Sequence, residues 1–178
     1  MTVIFIADGF EEIETLTPAD ILRHAGLEVI LCGVNTLNPT GRNGIKITCD
    51  TTLDNLDESK ISSVIIPGGP GVDNLFADEN FKQIIKNCAK KELLIGAICA
   101  ASSILGRLGL LKGRRAVVFP GYEHTLDGAE LTTQDVVKSG NIITAKAAGA
   151  GMDFALEMLE ALTDGHTAKK IARSIFYS

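Results

Sequence analysis

Leu93-Leu94-Ile95-Gly96-Ala97-Ile98-Cys99-Ala100-Ala101-Ser102-Ser103 is the stretch from which the fold of this chain is read. Its first half is apolar without alternation, the pattern of a strand covered on both faces in a parallel sheet. A cysteine ends the run, and small residues follow at once into a helical segment. Small neighbours let the backbone reverse sharply and lift the central side chain out of the sheet, as in a nucleophile elbow. The helix beyond begins with free N–H groups and a positive dipole end. Both favour a thiolate, so the Cys99 pKa is expected to be depressed. The competing reading makes Cys99 a small buried apolar residue, the usual fate of a free cysteine.

The same kind of apolar run recurs at Thr2–Ala7, Glu28–Cys32, Ser63–Pro67, Ala116–Phe119 and Ile142–Ala145. Helical spacing lies between the runs. Ala19, Ile21, Leu22 and Ala25 mark one helix, ended by Gly26. Phe81, Ile84, Ile85 and Cys88 mark another that opens near Asp78. Phe154, Leu156, Met158, Leu159 and Leu162 mark a third, closed by Gly165, and 168–176 forms a last one. Pro18 is either the first helical residue after a Thr17 cap or a kink in a helix begun near Glu11. Between Asn35 and Asp50, Asn-Pro and Asn-Gly pairs and the alternation of Ile45-Lys46-Ile47 predict a small hairpin excursion. Alternating strands and helices imply an α/β fold, a mostly parallel sheet with helices on both faces, as one domain over residues 1–178.

Composition narrows the function classes. The chain has 178 residues, is 46% hydrophobic and 22% charged, and carries a net charge of −5. Those values describe a globular domain, and the negative charge without Lys/Arg clusters argues against specific nucleic-acid binding or an anionic membrane partner. No run approaches a membrane span, and Asp8 interrupts the first apolar run before any secretory pattern forms, so a cytoplasmic location is expected. Cys32, Cys49, Cys88 and Cys99 show no CxxC pairing, and His24, His124 and His166 are scattered. No metal or cofactor is expected from that pattern.

In an open parallel sheet, ligands bind beyond the carboxyl ends of the strands. Three such ends carry chemistry. After the first strand comes Asp8-Gly9-Phe10-Glu11-Glu12-Ile13-Glu14, after Ile66 comes Pro67-Gly68-Gly69-Pro70-Gly71, and after Ile98 comes Cys99. The amides of Gly68 and Gly69 could cradle an anion. A carboxyl brought into a crevice beside a thiolate has its pKa raised and can pass a proton, although the residues alone do not separate Glu14 from Glu11 and Glu12. No histidine is placed to act as a base.

These segments resemble the ThiJ/PfpI superfamily, the group that contains the Parkinson-associated protein deglycase and its bacterial relatives. The resemblance is carried by Gly9-Phe10-Glu11-Glu12-Ile13-Glu14-Thr15, Pro18-Ala19-Asp20, Arg23-His24-Ala25-Gly26, Ile66-Pro67-Gly68-Gly69, Ala97-Ile98-Cys99-Ala100 and Gly149-Ala150-Gly151-Met152-Asp153-Phe154-Ala155-Leu156. It implies a flavodoxin-like three-layer sandwich and a homodimer. It implies that Cys99 is nucleophilic and oxidisable, that Glu14 is a protonated acid bonded to the sulfur, and that the Gly69 and Ala100 amides form an oxyanion pocket. The sequence departs from the group in three places. Ala100 stands where protease-like members have histidine, Phe119 stands where human-type members have another, and Ala147-Ala148-Gly149 replaces a common Gly-Pro-Gly.

Peptide hydrolysis by a Cys-His pair is therefore not expected. The expected activity is cofactor-free conversion of reactive carbonyls such as methylglyoxal to hydroxy acids, or removal of early glycation adducts from proteins. The alternative is a non-catalytic redox sensor or stress chaperone in which Cys99 becomes a sulfinic acid. A class I glutaminase needs a downstream His-x-Glu that this chain lacks, and the acidic loop after the first strand would repel a flavin phosphate.

Overall fold

A computed structural model describes residues 1–177. In chain order the elements are β1 Thr2–Ile6, α1 Glu12–His24, β2 Val29–Gly33, β3 Thr51–Thr52, β4 Ser63–Ile66, α2 Val72–Ala77, α3 Glu79–Lys90, β5 Leu94–Ile98, α4 Ser102–Arg107, β6 Arg115–Ala116, β7 Glu130–Leu131, β8 Val136–Ser139, β9 Ile142–Ala145, α5 Gly151–Leu162 and α6 Gly165–Ser174. Seven strands form one sheet in the order β3-β2-β1-β4-β5-β9-β8, and β6 and β7 make a separate pair. Every pairing in the large sheet is parallel except β8 against β9.

The central strands are buried along their whole length because helices cover both faces. Phe5 of β1 meets Phe81 of α3 edge-on, with ring centroids 5.2 Å apart. The other face carries α5, whose approach explains one glycine. A Cβ on Gly96 would lie 2.6 Å from Met158 Sδ and 2.8 Å from Phe154 Cζ. A larger residue there would push α5 off the sheet. The expected α/β three-layer architecture is thus the observed one.

Some expectations need correction. Of the run Ala116–Phe119, only Ala116 is in a strand, and it pairs with β7 outside the main sheet. The place beside β5 is taken by β9. The Val117 N–H donates to Thr144 Oγ1 at 3.0 Å and the Phe119 N–H to the Cys99 carbonyl at 3.3 Å, so the segment crosses the carboxyl end of β5. The 35–50 excursion is the hairpin expected, its arms joined by the Gly41 N–H to the Ile45 carbonyl at 2.8 Å, the Ile47 N–H to the Pro39 carbonyl at 3.2 Å and the Cys49 N–H to the Leu37 carbonyl at 2.8 Å, around the Thr40–Lys46 bridge. Gly165 opens α6 rather than closing α5, and Asp164 caps that helix by accepting from the Thr167 N–H at 2.8 Å. Pro18 lies inside α1, which starts after Glu11.

No helix is long and apolar enough to cross a membrane among the described residues. The basic residues are less dispersed than their spacing along the chain suggests. His166, Lys169, Lys170 and Arg173 share one face of α6 and line a hollow of about 200 Å³.

Candidate active site

Cys99 has φ +62° directly after the extended Ile98, which makes it one of three non-glycine residues with a positive φ among those described. For an L-residue that conformation costs roughly 1–2 kcal/mol. The turn is made by Cys99–Ala101 in a 3₁₀ conformation and passes directly into α4. Ala100, Ala101, Ser102 and Ser103 are all buried against neighbouring chain, so only small side chains fit this reversal. Cys99 is 7% exposed and borders a cavity of about 300 Å³, whose walls also include Arg42, Gly69, Pro70, Asp73, Ala100, Phe119 and Tyr122.

The glycine-rich loop runs alongside. Gly69 has φ +90°, and an added Cβ would meet Gly9 O at 2.5 Å and Glu11 N at 2.7 Å. Both contacts are with backbone, so no side chain can be accommodated. Gly68 is squeezed between Glu14 and Cys99, where a Cβ would lie 2.7 Å from Glu14 Oε2 and 2.8 Å from Cys99 Cβ. The N–H groups of Ala100 and Gly69 donate toward the Cys99 sulfur.

Structure separates the three acidic residues that the sequence leaves equivalent. Glu11 caps α1, its carboxylate accepting from the Glu14 N–H at 2.9 Å. Glu12 accepts from the backbone N–H and the side chain of Asn43, at 2.8 and 2.9 Å. Glu14 turns inward, 1% exposed, and Oε2 accepts from the Gly68 N–H at 2.8 Å. Its Oε1 has no hydrogen-bond partner among the described residues, and the neighbouring Cys99 thiol acts on the carboxyl as a side-chain donor that favours its charged form. Burial raises the Glu14 pKa to about 7, against lowering by the bonds from Cys99 and Gly68.

The expected depression of the Cys99 pKa is not found. Burial pushes the thiol up to about 12, the Glu14 charge adds to the rise, and the Ala100 and Gly69 amides offset only part of it. The helix that was to favour the thiolate is six residues long and separated from the sulfur by the 3₁₀ turn, so its dipole is weak here. Cys99 and Glu14 therefore titrate as one buried pair. Below about pH 7 the pair holds both protons, and above it one proton and one negative charge. The charge is held by Gly68 when it sits on the carboxylate, and by Gly69 and Ala100 when it sits on sulfur.

The cavity contains no histidine. His124 lies in an exposed 3₁₀ turn, and His24 and His166 sit on α1 and α6. Phe119 stands at the mouth, 41% exposed and edge-on to Tyr122 at 6.4 Å. Cys32, Cys49 and Cys88 are buried thiols in the core, pushed up to about 12, 11 and 11 by burial. Arg42, Asp73 and Tyr122 were not anticipated from the sequence. They come from loops and a short helix with no periodic pattern to mark them.

The DJ-1/PfpI family model matches residues 2–161. The chain belongs to the DJ-1/PfpI family. Among family relatives, the glutathione-independent glyoxalase DJR-1.2 of Caenorhabditis elegans is 32% identical over 161 residues, spanning 90% of this chain and 87% of that protein. The isonitrile hydratase of Pseudomonas putida is 29% identical over 171 residues, spanning 94% and 74%. The solved structure of oxidized DJ-1 from Toxoplasma gondii superposes with a TM-score of 0.95 at 28% identity, covering 99% of this chain and 98% of that one. The DJ-1/PfpI family thus includes proteins named for different reactions on one scaffold, and the reaction must be argued from this chain's own site.

Proposed function

We propose that the chain converts small reactive 2-oxoaldehydes, with methylglyoxal as the simplest, into hydroxy acids without a cofactor. The observation that carries the reading is the placement of Cys99 on the edge of an open cavity with the buried Glu14 carboxyl just behind it, across Gly68. The Cys99 sulfur adds to the aldehyde carbon, and the carbonyl π pair moves to oxygen within reach of the Gly69 and Ala100 amides. Glu14 gives its proton to that oxygen, forming a hemithioacetal. The carboxylate then takes the C1 proton to give an enediolate, exchanges it with solvent and protonates C2, while the C1 hydroxyl proton passes to the C2 oxygen, which leaves a thioester of the 2-hydroxy acid. Water cleaves the thioester, releasing the acid and restoring the thiol. The name of the nematode relative supports this chemistry. Early glycation adducts on proteins present the same carbonyl-derived carbon and are further substrates under this reading. We take the working form as a cytoplasmic homodimer, in keeping with Ile13 and Leu16 exposed one turn apart on α1.

Methylglyoxal incubated with the protein in D₂O yields lactate, read by proton NMR. Proton shuttling through Glu14 places solvent deuterium at C2. Absence of lactate above buffer overturns the proposal.

A second reading is favoured by the oxidized state of the Toxoplasma relative. The Cys99 thiolate attacks one peroxide oxygen, the O–O bond breaks and hydroxide leaves, protonated to water; a second peroxide oxidises the sulfenic acid formed to sulfinic acid and is itself reduced to water. Glu14 is placed to donate to the new oxygen. Mild peroxide is expected to add two oxygens to Cys99 before Cys32, Cys49 or Cys88, as mapped by peptide mass spectrometry. Earlier oxidation of any of those three removes this reading.

A further inference from the structure

The cavity beside Cys99 has one cation in its wall, the exposed Arg42, that no carboxylate contacts among the described residues. Arg42 makes no ion pair and no side-chain hydrogen bond among the described residues, whereas the other charged wall residue, Asp73, lies 3.7 Å from Arg107 Nη1. Arg42 is close enough to the buried acid for its charge to lower the Glu14 pKa.

The position of Arg42 is built rather than incidental. Its N–H donates to the Phe10 carbonyl at 2.8 Å. The next residue, Asn43, is held through both its backbone N–H and its side chain by Glu12, which is 5% exposed. Burial alone would raise the Glu12 pKa, but the Asn43 bonds bring it below the ordinary value, so this latch stays ionised. On the other side of Arg42, Gly41 packs directly on the Glu12 carboxyl, where a Cβ would collide with it. The excursion that carries the guanidinium is thus fastened to the helix that carries Glu14.

The cavity is also roomier than the simplest substrate needs. Its volume is about 300 Å³, more than a three-carbon aldehyde fills. Phe119 and Tyr122 supply an apolar wall between mouth and sulfur.

We propose that Arg42 is a substrate-binding residue that receives a carboxylate, so that the preferred substrates are 2-oxoaldehydes bearing a carboxylate a few bonds from the carbonyl. The substrate class rests on the carbonyl reading above, while anion recognition at Cys99 does not. A planar guanidinium fork matches a carboxylate through two parallel hydrogen bonds, and the apolar spacer of such a molecule lies along Phe119.

Two measurements on wild type, Arg42→Met and Arg42→Lys test it. The first alkylates Cys99 with iodoacetate or with neutral iodoacetamide, sulfur displacing iodide in each. The rate ratio of iodoacetate to iodoacetamide is expected to fall about tenfold or more in Arg42→Met, as for loss of a charged hydrogen bond. Arg42→Lys keeps part of it. The second compares kcat/KM for 4,5-dioxopentanoate with that for methylglyoxal, a preference expected in wild type and lost in Arg42→Met. An unchanged alkylation ratio overturns anion recognition by Arg42. A changed ratio without lactate from methylglyoxal or turnover of dioxopentanoate leaves the anion site standing and removes the substrate class. Turnover with no preference for the carboxylated aldehyde removes only that preference.

Discussion

Replacing Cys99 with serine brings methylglyoxal loss down to the rate of buffer, a fall of roughly a thousandfold or more. That corresponds to about 4 kcal/mol of lost transition-state stabilisation. The substitution keeps the shape of the elbow, because serine fits the same small space and the Gly68, Gly69 and Ala100 backbone is untouched. What changes is the nucleophile. A hydroxyl in this site has no histidine to take its proton, and its own acidity is far below that of a thiol. The measurement is aldehyde consumption with lactate quantified, alongside thermal unfolding to show that the variant is folded. Equal turnover by wild type and Cys99→Ser would end the carbonyl reading.

Glu14→Gln is expected to lower the rate by about 10²–10⁴-fold, the usual contribution of a positioned proton carrier, and to change the pH profile. Below about pH 7 the wild-type pair holds both protons, acid and thiol, and no nucleophile is present. As pH rises through about 7 the pair loses one proton, and kcat/KM should rise with it. Glutamine carries no proton in that range, so this limb disappears. Stability moves in the opposite sense. The folded Glu14 pKa is raised from 4.5 to about 7, so its favourable contribution is complete below 4.5 and lost as pH climbs through 7. Keeping an ionised Glu14 buried above that point costs on the order of 3 kcal/mol. Urea unfolding at a series of pH values should show wild type losing stability relative to Glu14→Gln between those limits. Parallel stability curves, with an unchanged activity limb near pH 7, would show that Glu14 does not titrate with the sulfur.

The parallel core was legible because burial on both faces leaves its mark on every residue of a strand. β1, β2, β4, β5 and β9 could be outlined from uninterrupted apolar runs. β8, half-buried at the edge of the sheet, has no such run, and its antiparallel return depends on the turn at Gly140. Val117–Phe119 is as apolar as a strand because it crosses the carboxyl end of the sheet, a kind of burial that periodicity cannot distinguish from pairing. The elbow was legible from the small residues after Cys99. The direction of its pKa was not, since the groups that desolvate the sulfur come from remote parts of the chain. Among Glu11, Glu12 and Glu14 only resemblance singled out the third. In space each has a separate task, as cap, latch and buried acid. Arg42 had no local signature, because its importance comes from the absence of a counter-ion, which only three dimensions reveal.

Pro18 in α1 has a mechanical consequence. A proline nitrogen has no hydrogen, so the carbonyl four residues earlier, that of Glu14, receives no bond from the helical ladder. The opening turn, with cap, latch and acid, is thereby tied to the rest of the helix by one bond fewer. Gly68 and Asn43 supply further bearings for it. The orientation of the proton carrier is therefore fixed from the loops in front of it as well as from the helix that bears it.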